Sequence, residues 1–238
     1  SIAIAGFAIG LNSIAGSLTA GARGAFIDRY GQKWPLRFLV PSYSVMLILL
    51  SFAESKHQIL FVALLLGISA PPINLSVRPL WKIAVEQSKL RTAFAIDTSV
   101  MSSTGILGPI LATWISLSWK AKFSLQLCAV LMLIGGLALS FSKLSRQWQP
   151  EKKDEKAPPM YRIRALQLLA LEGAFLGIGW GAFDIGIPAF TTQENVQSRT
   201  AIILGIAGLF NVFGGLFAGT ISKRDRKSTR LNSSHVSE

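Results

Sequence analysis

The chain has 238 residues, half of them hydrophobic and only 15% charged, with a mean hydropathy of +0.45. Soluble domains carry about 25% charged residues, so this composition excludes an ordinary soluble protein and points to the membrane. The net charge of +12 does not signal nucleic-acid binding, because the basic residues are separated by apolar runs long enough to cross a bilayer and form no continuous basic face.

Crossing a hydrocarbon core takes about 20 apolar residues as helix. The apolar runs are too long and too unalternating for barrel strands, so the expected fold is all-α, a polytopic bundle. Seven spans are predicted, at residues 2–23, 36–53, 58–80, 94–117, 122–142, 165–189 and 201–222. The first opens without a charged preceding region and does not read as a signal peptide. Basic residues crowd alternate junctions: Arg23, Arg29, Lys33 and Arg37; Arg78, Lys82, Lys89 and Arg91; Lys143 to Arg164; Lys223 and Arg224. The intervening junctions carry only Lys56, Lys120, Lys122 and Arg199, so the first group is cytoplasmic by the positive-inside rule. The single cysteine, Cys128, permits no intrachain disulfide, and no zinc spacing, P-loop, dinucleotide fingerprint or nucleophile elbow occurs. The chain is therefore expected to be no enzyme and to carry no metal.

Between the first two spans lies GAFIDRYGQKWP, residues 24–35, which reads as a compact polar hinge. Gly24, Asp28, Arg29, Gly31 and Lys33 follow the spacing G-x-x-x-D-R-x-G-x-K. This resembles the loop signature of the major facilitator superfamily of secondary transporters. The resemblance implies a truncated bundle of about seven of twelve helices: residues 1–142 as helices 2–6 of the N-terminal half, 143–164 as the cytoplasmic linker, and 165–224 as helices 7–8. It also implies that Asp28 and Arg29 belong to a conformational latch between the halves. The run GGLFAGTISKR, 214–224, is a worn second copy of the hinge without its acid, as parallel repeats predict. The tail DRKSTRLNSSH, 225–235, reverse-translates to a common sequencing-library adapter. Residues 225–238 are accordingly expected to be translated adapter, and the chain a fragment.

Further residues carry candidate chemistry. Arg78 and Asp97 fall at cytoplasmic membrane ends, where an unpaired charge is costly, so Asp28, Arg78 and Asp97 are expected to form a charge relay. GILGPILATW, 105–114, resembles the antiporter motif of the superfamily's exporters through Gly105, Gly108 and Pro109; Thr104 and Ala112 depart from it. Small residues there are expected to seal the helix against a neighbour. The sixth span holds Glu172, about 12 Å along the axis from Arg164, and Asp184 near the outer end. Carboxylates at membrane depth bind and release protons, which makes both candidates for proton coupling or the substrate path, Glu172 the better. Gly173, Gly177 and Gly181 predict a close-packing face. Asn12, Asn74, Asn211, Trp114 and Trp180 are candidate path-lining residues.

The expected function is a secondary active transporter of the bacterial inner membrane, exporting a small molecule against protons by alternating access. It would use the proton gradient and no bound cofactor, and work as a monomer in the lipid bilayer with no nucleic-acid partner. The alternatives are an uptake symporter, a facilitative uniporter, and a related receptor that does not transport.

Overall fold

A computed structural model of the chain describes residues 2–150, 162–210 and 213–214, and the described residues contain helices and turns but no strand. Helix α1 spans Ile2–Tyr30, α2 Lys33–Ser51, α3 Lys56–Ser69, α4 Ile73–Ala84, α5 Leu90–Ser118, α6 Ala121–Phe141, α7 Lys143–Gln147 and α8 Arg164–Gln193. Beyond α8, α9 runs over Gln197–Phe210, entered through a 3-10 turn at Gln197–Arg199. Six segments among the described residues are long and apolar enough to cross a membrane, counting α3 and α4 together as one. The all-α bundle expected from composition is what the chain forms.

Three boundaries differ from the sequence reading. The polar stretch 24–35 is not a hinge throughout: α1 continues to Tyr30, and only Gly31 and Gln32 form a turn before α2. Charge does not end a helix; residues 25–30 all keep their N–H groups and helical backbone, and the chain turns where Gly31 takes φ +72°, which glycine adopts without a Cβ penalty. The third span is also not continuous. Pro71 and Pro72 lack N–H donors, so the hydrogen-bond ladder stops at Ser69 and restarts at Ile73. The seventh span starts earlier than predicted, at Gln197, and its residues 215–222 lie outside the described residues. So do 151–161 of the predicted linker, Asn211, all of the second-copy run except Gly214, and the tail 225–238.

Local signals set the starts. Ser55 caps α3 in a capping box: its Oγ accepts from Gln58 N at 3.2 Å, and Gln58 Oε1 accepts from Ser55 N at 3.1 Å. Ser142 caps α7 by accepting from Ser145 N at 3.1 Å. Packing then assembles α2 against α6, α1 against α3, and α5 against α6. The core lies where α2, α3 and α6 meet, at Leu47, Val62, Leu66 and Ala129, flanked by Tyr43 and Leu125. In lipid the hydrophobic effect does not drive helices together, so close fit and interhelical hydrogen bonds must. Both are present. Gly67 of α3 crosses α1 against Asn12, Ala15 and Gly16, and Gly136 of α6 receives Val40 of α2. Gln126 Nε2 donates to Ser51 Oγ at 3.2 Å, and Ser124 Oγ donates to the Ala112 carbonyl at 2.9 Å. The Thr191 and Thr200 hydroxyls join α8 to α9. Phe7, Leu18, Phe38, Leu75 and Leu107 are exposed, an apolar exterior suited to acyl chains.

Candidate functional site

The first site is built on the turn after α1. Asp28 and Arg29 occupy its last helical turn, both exposed, and Asp28 makes no salt bridge among the described residues. The Arg29 guanidinium lies 5.4 Å from the Tyr30 ring centroid and the Lys33 ammonium 4.9 Å from that of Trp34. Arg37 is held over Phe141 at 3.9 Å. Gly24 has open space around it, and Gly31 turns beneath the Trp148 carbonyl that follows α7. The residue that ties the turn to the bundle is Gln32, only 1% exposed, whose Nε2 donates to the Ser76 carbonyl of α4 at 2.9 Å.

From Ser76 the connection continues along α4. Arg78 Nε lies 3.7 Å from Asp97 Oδ2 on α5, and Trp81 Nε1 donates to Asp97 Oδ1 at 3.3 Å. The Asp97 side chain is 12% exposed and that of Arg78 61%. Two members of the expected relay are thus brought together, while Asp28 has no ion pair with either. Sequence reasoning passed over Gln32, since an amide between Gly31 and Lys33 looks like one more surface residue.

Arg23 was also passed over, having been counted only as a cytoplasmic charge. Its guanidinium donates to the carbonyls of Ala70 and Gly16, and its Nε to Thr19 O at 3.4 Å. It therefore satisfies backbone at the α3–α4 break, beside a cavity of about 590 Å³ lined in part by Asn74, Met132 and Gly135. The Pro-Pro pair was the available signal, because two missing N–H groups leave carbonyls in need of a donor.

The second site is a cavity of about 560 Å³ between α5, α8 and α9. Ser102, Gly105 and Pro109 of α5 form one wall; Phe175, Trp180, Phe183 and Asp184 of α8 another; Leu204, Ala207 and Gly208 of α9 the third. Trp180 and Phe183 meet edge to face, centroids 6.3 Å apart. Asp184 is the lining carboxylate and has no salt bridge among the described residues. It lies twenty residues from Arg164, about 30 Å along the α8 axis. Glu172 is exposed on α8 and does not line this cavity.

Among the described residues, Gly105 and Gly108 have nothing within 4 Å of an added Cβ, so no described helix is sealed against them. Instead the small residues are on α9, where Gly208 takes Ile106 and a Cβ at Gly205 would stand 3.3 Å from Ile110 Cδ1. Gly173, Gly177 and Gly181 likewise have no neighbour within 4 Å among the described residues, because that face of α8 meets no described helix. Trp114 stacks outside the cavity with Trp119, centroids 6.1 Å apart, and Asn12 presents its carbonyl to Gly67 at the α1–α3 crossing.

The family model described as Major Facilitator Superfamily matches residues 1–235, essentially the whole chain. No solved structure matches it. With an all-α bundle of apolar spans, the motif turn at Gly31 and a match of that extent, this multi-pass membrane chain belongs to the Major Facilitator Superfamily of membrane transporters.

Proposed function

We propose that the chain belongs to a proton-coupled exporter of a small molecule in the bacterial inner membrane. The observation that carries the reading is the cavity between α5, α8 and α9, where the Gly105–Pro109 segment faces the Asp184 carboxylate across a mostly apolar space. Pockets of about 300–1,000 Å³ with few polar groups suit small organic ligands. A carboxylate there has two competing partners, a proton and the substrate. Export follows if substrate loads from the inside and a proton arriving from the outside displaces it, after which the protonated carrier returns and releases the proton inside. Asp184, in the outer part of α8, is placed to meet that proton; Glu172, nearer the cytoplasmic end, would accept and release it inward. The α4–α5 ion pair supports alternating access, since a 3.7 Å contact whose arginine is exposed separates at little cost.

Vesicles containing the full-length protein test the reading. Substrate flux should follow an imposed pH gradient and be lost in Glu172→Gln and Asp184→Asn. Flux indifferent to the gradient would replace it with a facilitative uniporter, and ligand binding without flux with a receptor.

A further inference from the structure

The lining of the α5–α8–α9 cavity narrows the substrate class. Among the described residues its charge is carried by one carboxylate, Asp184, with no Lys or Arg in the wall. An anionic ligand would therefore meet repulsion and no counter-charge. A sugar needs a hydrogen-bonding partner for most of its hydroxyls, yet beyond Asp184 the wall's described side chains offer only the Ser102 hydroxyl and the Trp180 indole N–H. A neutral hydrocarbon would fill the space but leave the carboxylate facing it without a counter-charge. What remains is a molecule with one positive centre and an apolar body. Aromatic rings reinforce this: Trp180 and Phe183 neighbour Asp184 on α8 and Phe175 lines the same cavity farther along the helix, and ring faces attract organic cations. Trp180 and Phe183, set edge to face with an interplanar angle of 83°, present two differently directed surfaces beside the carboxylate.

We propose that this cavity binds amphipathic organic cations, with the ammonium or phosphonium centre at Asp184 and the apolar body against Trp180, Phe183 and Phe175. The assignment rests on the reading of the cavity as the substrate path. Charge supplies selectivity, and the rings supply most of the contact area without demanding one particular shape. A volume of about 560 Å³ accommodates a cation of several rings.

The test compares two probes of nearly equal size and opposite charge, radiolabelled tetraphenylphosphonium and tetraphenylborate. Binding is measured to the full-length protein in nanodiscs of zwitterionic lipid, with empty discs subtracted. Saturable phosphonium binding is expected, weakened about tenfold by Asp184→Asn and retained by Asp184→Glu. Trp180→Ala should weaken it about fivefold, while Trp180→Phe keeps most of it. The Asp184→Glu variant separates loss of charge from loss of folding. Equal binding of the borate, or Asp184→Asn binding the phosphonium as tightly as the unaltered protein, would overturn the proposal. The two readings fail separately: Glu172-dependent, gradient-driven flux without phosphonium binding removes the substrate class alone. Asp184-dependent phosphonium binding without gradient-driven flux supports the substrate class and removes only the proton coupling.

Discussion

Gly67 sits at a close crossing of α1 and α3, and its replacement by alanine offers a sharp test of how the two helices are held together. A Cβ built there runs into the Asn12 carbonyl oxygen and lies 2.8 Å from Ala15 Cβ and 2.9 Å from Gly16 N. Two of these three atoms are backbone, which cannot swing aside as a flexible side chain can. Relieving the overlap requires the helices to move apart by about 1 Å, which forfeits up to half the dispersion well of each facing contact. Overpacking of this kind costs about 1–3 kcal/mol, and the rigid neighbours put this site at the upper end. Alanine's better helix propensity returns about 1 kcal/mol, leaving a net loss of about 2 kcal/mol. The control is on the facing helix: a Cβ at Gly16 meets Gly67 O at 3.6 Å and Gly67 Cα at 3.9 Å, ordinary contact. Gly16→Ala should therefore be neutral or stabilising by up to about 1 kcal/mol. Both are measured by the midpoint of detergent-induced unfolding of the purified protein. If Gly67→Ala is as stable as Gly16→Ala, the crossing is not sterically fixed and the reasoning fails.

Three further predictions follow from the turn, the break and the ion pair. Gly31→Ala should cost about 1–2 kcal/mol in the same assay because of its φ of +72°, and Gly31→Asn clearly less. Removing the donor at the helix break with Arg23→Met should cost about 1–3 kcal/mol and raise protease cleavage near residues 70–72, with Arg23→Gln restoring part of the loss. A double-mutant cycle of Arg78→Gln and Asp97→Asn should give a coupling of only about 0.2–1 kcal/mol, because Arg78 is 61% exposed. A coupling above about 2 kcal/mol would show that the pair works in a drier setting than its exposure implies.

How much of this was legible beforehand varied with the kind of information needed. Composition and run length determine whether helices span a membrane, so the bundle and most spans could be read directly. The motif turn was also legible, as a spacing. Its extent was not, because polarity was taken as the end of a helix when only Gly31 broke the backbone pattern. At Pro71 and Pro72 the reverse occurred: hydropathy alone carried the predicted span across residues that cannot donate to a ladder. Pairings between helices were the least accessible. The spacing of Gly173, Gly177 and Gly181 identifies a face but not whether another helix covers it. Nothing in one dimension tells that Ile106 meets Gly208, or that Asp184 rather than Glu172 borders a cavity.

The placement of α5 connects the two sites physically. Its inner end is joined to α4 through Arg78 and Asp97, and α4 is joined to the motif turn through Gln32 and the Ser76 carbonyl. Twelve residues on from Asp97, about 18 Å along the axis, Pro109 borders the cavity, and Ile106 seats on Gly208 of α9. α5 is also held on α6 through Ser124 and the Ala112 carbonyl, so its parting from α4 would leave the α6 and α9 contacts to carry it. The joints are unequal. Ile106 against Gly208 is a steric fit with no slack, whereas the Arg78–Asp97 contact is 3.7 Å long and largely wet on the arginine side. If the chain alternates access as proposed, the Arg78–Asp97 joint is the one expected to give, with α5 kept on α9. On this reading the buried amide of Gln32 keeps α4 with the motif turn, and the Arg78–Asp97 pair, exposed on its arginine side, is left as the point of separation.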